Sequence, residues 1–186
     1  MNILFFRLTV RDVSIITVLT ALCVAGNYAL VGLPNIKVMD LVVFVAGFAF
    51  GVSVGATIGG LAWIVYGAIN PFGFSLPVWL STIVGETMFG IAGGILGRIS
   101  YKTSEKNFNI FRFSFEMGLW GLIITIIYDL FTNTVFAITF NVPIVAAIVT
   151  GWLIPPWFGI LHEAGNFILF SSAVYPLTRV IGTLRR

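Results

Sequence analysis

Charge is what this sequence lacks most. Only 9% of its 186 residues are Asp, Glu, Lys or Arg, where about 25% is usual for a soluble domain. Too few charges are available to cover a water-facing surface. Cysteine is nearly absent as well: Cys23 stands alone inside an apolar run, so an intramolecular disulfide is excluded. Histidine occurs once, as His162. Alternating apolar and polar positions are missing, which argues against a membrane β-barrel. Linkers, low-complexity tracts and a second domain are missing too. Enzyme signatures are equally sparse. There is no Walker A motif. The run His162-Glu163-Ala164-Gly165-Asn166 approaches the zinc-protease motif H-E-x-x-H, but Asn166 replaces the second histidine. One histidine with one neighbouring acid does not make a zinc site, so neither a catalytic centre nor a metal or other cofactor is expected.

What is present is apolar side chain: 59% of the residues are hydrophobic and the mean hydropathy is +1.05. No soluble domain has an interior large enough to hide that. The expected class is all-α, a single polytopic membrane domain spanning 1–186 in a lipid bilayer. The opening MNILFFRLTVRD puts its arginines behind its apolar residues and is followed by no small-residue cleavage site. It is expected to be retained at the membrane surface.

The stretch 38–70 decides the topology. As one helix it would be roughly 50 Å long, against a hydrocarbon core of about 30 Å. Gly47, Gly51, Gly55 and Gly59 recur at every fourth position within it. A reversal near Phe50-Gly51-Val52 divides it into two helices. The six predicted spans are about 13–31, 38–49, 52–70, 76–99, 113–136 and 157–180. A short extra helix, 144–152, is expected over the outer mouth.

Basic residues test the parity. Six spans with a cytoplasmic N-terminus put Arg7, Arg11, Arg98, Lys102, Lys106, Arg112, Arg179, Arg185 and Arg186 inside, against Lys37 outside. A single span over 38–70 would move the four from Arg98 to Arg112 outside. The first arrangement obeys the positive-inside rule, with both termini cytoplasmic. Because the basic residues gather at helix ends, the pI near 9.3 does not point to nucleic acid.

Intramembrane polar groups mark the candidate site. Glu86 lies about 13 Å from the outer end of its helix, and Asp129 and Glu163 about 10 Å from theirs. No Lys or Arg is expected beside them. Asp40 starts the second span and is read as a hydrogen-bonding group between helices; for Glu86 that role and a ligand role are equally weighted. Helical spacing puts Thr125, Asp129 and Asn133 on one face, and His162 and Asn166 on another with Glu163 beside them. Tyr128, Trp152 and Trp157 supply aromatic walls. Such a set suits a small polar, even cationic, molecule. Small residues at Ala21, Ala25 and Ala29 form either a packing stripe or a docking face for another membrane protein.

Three features together carry a resemblance: the stripe Ala21-x3-Ala25-x3-Ala29, the stretch NIKVMDLVVFVAGFAFGVSVGATIGGLAWIVYGAINPFG (35–73), and YDLFTN (128–133). With them the chain resembles the substrate-binding S components of energy-coupling factor (ECF) transporters over nearly its whole length. The resemblance implies capture of a vitamin-like solute from outside, in a pocket built mainly by the last three spans and the outer loops. It implies docking of the alanine face on a transmembrane coupling (T) subunit, which two ATPase subunits drive, and toppling of the S component to carry the solute inward. Thiamine or a related pyrimidine fits the acids and aromatics. If the acids are protonated, a neutral ligand such as a cobalamin or a queuosine precursor fits as well. The competing expectations are a proton-coupled secondary transporter, weakened by the lack of an inverted repeat, and a purely structural membrane partner.

Overall fold

The computed structural model describes residues 9–71, 73–103 and 108–184. Its described residues form seven α-helices and no strand: α1 (Val10–Ala29), α2 (Met39–Phe50), α3 (Val52–Ala68), α4 (Leu76–Thr103), α5 (Ile110–Thr139), α6 (Ile144–Leu153) and α7 (Phe158–Leu184). Most of the N-terminal segment expected to be retained, part of the polar loop before α5, Phe72 in the α3–α4 turn, and Arg185 and Arg186 lie outside the described residues.

Local chemistry fixes the helix ends. Thr9 caps α1 in a reciprocal box: its hydroxyl accepts from the Asp12 amide at 3.2 Å, and the Asp12 carboxylate accepts from the Thr9 amide at 2.9 Å. This starts α1 three residues before the predicted 13. Asn109 caps α5 by accepting from the Arg112 amide at 3.1 Å. The reversal between α2 and α3 falls at Gly51, whose φ of +99° is open to glycine and costly for other residues.

α2 and α3 form a hairpin that lies along α4, and α5 pairs with α7. Contacts of α4 with α5 and of α2 with α7 join these two groups, while α1 packs on α2 and α3 and α6 packs on α5 and α7. Glycine makes the first group possible. A Cβ on Gly55 would lie 2.5 Å from Gly47 Cα and 2.9 Å from Gly90 Cα, so three helices meet backbone to backbone. The glycine ladder is thus an internal packing device, as expected. The junction of the two groups is aromatic: the Phe44 and Phe170 rings lie 4.8 Å apart, and Phe89 reaches both Phe170 and Tyr128.

α1, Leu76–Ser100 of α4, and α5 are long and apolar enough to cross a membrane, and α6 with α7, bent by 60°, makes a fourth candidate. α2 and α3 are apolar but only 12 and 17 residues long. Large apolar side chains are exposed on the outer faces of the bundle, Val18, Phe115, Ile127 and Ile168 among them. An α-helical, membrane-compatible protein is therefore observed. One end of the bundle carries the α1–α2, α3–α4 and α5–α6–α7 connections. Among the described residues Lys37 is the one basic residue there, while Arg11, Arg98, Lys102, Arg112 and Arg179 belong to the opposite end.

Replacing Gly55 with Ala is expected to cost about 1–3 kcal/mol through overpacking, read as a lower melting temperature in detergent. Gly26→Ala on α1, where a Cβ meets nothing within 4 Å, should leave the melting temperature unchanged or raise it. Equal behaviour of the two variants would contradict the glycine seam.

Candidate functional site

Two buried carboxylates share one imidazole. Asp40 on α2 and Asp129 on α5 are 1% and 6% exposed, and His162 on α7 is 1% exposed. His162 Nε2 lies 2.7 Å from Asp40 Oδ2, and Nδ1 lies 3.1 and 3.2 Å from the two Asp129 oxygens. The bridge needs two protons. Either an imidazolium sits between two carboxylates, or a neutral ring faces one carboxylate and one carboxylic acid. Asn166, one turn after His162, donates to Asp40 Oδ2 and to the Thr125 hydroxyl, both at 2.7 Å. Glu86 on α4 neighbours Asp40 and accepts from Trp63 Nε1 at 3.0 Å. Four helices (α2, α4, α5 and α7) and Trp63 of α3 thus converge on one polar core.

Next to this core is a cavity of about 500 Å³. That lies within the roughly 300–1,000 Å³ of small-molecule sites. Asn35 and Lys37 of the α1–α2 loop line it, with Trp63, Val78 and Thr82 from α3 and α4. Tyr128, Asp129, Thr132, Asn133 and Phe136 form its α5 wall, and Thr150, Gly151, Ile154, Pro155, Phe158 and Gly159 close it from α6 and the start of α7. The α1–α2 loop is tied across to α7 by the Asn35 amide, which donates to the Phe158 carbonyl at 2.9 Å.

The predicted site residues divide by position. Tyr128, Asp129 and Asn133 line the cavity. His162, Asn166 and Glu86 are buried in the polar core and are not part of the cavity wall. Asp40, expected to hydrogen-bond between helices, does so. Glu163 is half-buried, with Oε1 lacking a hydrogen-bond partner among the described residues, and is not part of the wall either. Trp152 packs its ring on Gly159, and Trp157 is 51% exposed; neither lines the cavity. Ala21, Ala25 and Ala29 are all exposed on α1.

One expectation needs correction. The acids do have a cation near them: Lys37 lies in the cavity wall with Asp129, its Nζ 5.3 Å from the Trp63 ring centroid and 5.4 Å from that of Tyr128. The loop after α1 turns inward because Asn35, at a φ of +51°, reverses the chain. The cavity is lined by that loop and the last three long helices, and Trp63 adds α3 to them. Sequence reasoning missed Lys37 and Trp63 as site residues. The available signal for Lys37 was its isolation, one basic residue at an end otherwise without them among the described residues.

Loss of His162 should leave two carboxylates buried without their shared partner. His162→Ala is expected to destabilise by about 3–5 kcal/mol, against about 1 kcal/mol for Thr125→Val. Detergent melting curves measure both. A His162→Ala protein that melts like wild type would show that the bridge carries no weight.

Compared with protein-family models, with curated proteins and with solved structures, the chain has no match.

Proposed function

We propose that this chain is a multi-pass cell-membrane protein that captures a small polar solute, acting as the S component of an ATP-driven ECF-type importer. One observation carries the reading: a solute-sized cavity, backed by a buried carboxylate–histidine core, at the end of the bundle that is poor in basic residues. By the positive-inside rule that end faces outward. Both termini are then cytoplasmic, and the cavity meets solute arriving from outside. The reading takes six spans, with α2 and α3 as two short ones and α6 as a cap beside the cavity.

The proposed partners follow from what the chain lacks. It has no nucleotide-binding motif, so ATP hydrolysis would belong to two ATPase subunits, linked through a transmembrane coupling subunit. The exposed alanine stripe on α1 offers that subunit a flat face where backbones can approach closely. No catalysis by this chain is proposed. A cavity of this size suits a vitamin-sized molecule better than a cobalamin, which is several-fold larger than the drug-sized ligands such cavities take.

The second reading is a proton-coupled secondary transporter. It is favoured by the Asp129–His162–Asp40 chain, which runs from the cavity wall into the core as a proton path would. The two readings separate in one experiment. Under the capture reading, wild type co-purifies with a coupling subunit, Ala25→Leu loses that subunit while keeping its fold, and the isolated chain in liposomes moves no solute when a pH gradient is applied. Gradient-driven flux by the isolated chain would select the secondary transporter instead.

A further inference from the structure

The cavity's free hydrogen-bonding capacity is lopsided. The side-chain donors of its wall are largely committed to backbone carbonyls. The Thr82 hydroxyl donates to Trp79 and the Thr132 hydroxyl to Tyr128, while the Asn133 amide donates to Asp129 and the Asn35 amide to Phe158. Asp129 turns both carboxylate oxygens towards His162. What these groups keep is mostly acceptor capacity: two amide oxygens and two hydroxyl oxygens, with one further hydrogen on each amide nitrogen. Two groups are exceptions: the Tyr128 hydroxyl, which has no hydrogen-bond partner among the described residues, and Lys37. Its ammonium has no hydrogen bond or ion pair among the described residues, and carries three donors.

Lys37 also stands where a cationic ligand would go. A cation in this cavity would seek the faces of Trp63 and Tyr128, and the Lys37 ammonium already covers both. A second cation there would meet like charge at close range in a largely apolar surround.

Resting on the capture reading, and naming its substrate class, we infer that the cavity takes a neutral or anionic solute rich in hydroxyl or N–H groups, with one carboxylate or ring carbonyl seated on Lys37 between Trp63 and Tyr128. The donor-rich body of the solute meets the Asn35, Asn133, Thr82 and Thr132 oxygens. The thiamine-like cation suggested by the acids and aromatics alone is disfavoured by this arrangement.

The test is a melting-temperature panel on the full-length protein in detergent. Pantothenate, biotin and guanine represent the acceptor-bearing, donor-carrying class; thiamine and choline represent cations. At least one probe of the first group should stabilise wild type, and neither cation should. Lys37→Met should weaken that binding about tenfold or more, since a charge-assisted hydrogen bond is lost. Lys37→Arg should retain most of it, which controls for any loss of fold in Lys37→Met. Stabilisation by thiamine or choline, or equal binding by Lys37→Met, overturns the assignment while capture stands. If no probe stabilises wild type but the protein still co-purifies with its coupling subunit, the class assigned here is wrong and capture again stands. If it does neither, both fall.

Discussion

A buried acid pair needs a shared counter-group, and in this protein that group is one imidazole. Asp40, Asp129 and His162 come from α2, α5 and α7, far apart in sequence and all but sealed from solvent. Uncompensated, either carboxylate would be expensive to bury. Bridged by His162 and supported by Asn166, Thr125 and nearby Lys37, they fix how the α2–α3–α4 group sits against the α5–α7 pair. The aromatic junction of Phe44, Phe89 and Phe170 fills the space beside that bridge. Polar specificity and apolar packing therefore act at the same seam.

The two groups are built by different means. Glycine lets α2, α3 and α4 approach until backbones touch, which leaves little room between them. α5 and α7 meet where Gly118 and Gly121 of α5 lie against Phe167 and the Phe170 ring of α7, and α6 packs on both helices. The cavity lies where α3 and α4, α5, the α6–α7 corner and the α1–α2 loop meet. Asp129 links its wall to the polar core, and Lys37 stands against the Trp63 and Tyr128 faces.

Much of this was legible in the sequence, and the reasons are local. The reversal at Gly51 followed from comparing the length of 38–70 with a bilayer. The small helix after Pro143 followed from the proline spacing. The shared face of Thr125, Asp129 and Asn133, and that of His162 and Asn166, followed from helical periodicity. What could not be read were pairings across long separations. Nothing in periodicity joins Asp40 to His162, or Trp63 to Glu86. The loop carrying Lys37 has no period at all, so its inward turn at Asn35 was invisible. Trp152 and Trp157 show the converse: aromatic residues near the right depth, turned elsewhere by the geometry around α6. The span count depends on α2 and α3, whose apolar character was clear and whose lengths fall short of a full crossing.

The claim on which the account turns is that the cavity holds a solute. Mass spectrometry of small molecules released from the detergent-purified protein, wild type beside Asp129→Asn, addresses it most directly. Asp129 belongs to both the cavity wall and the histidine bridge, so its substitution disturbs both at once. The expected result is one polar compound, stoichiometric with wild type and lost from the variant. A wild type that releases no compound, with a variant indistinguishable from it, would contradict the account.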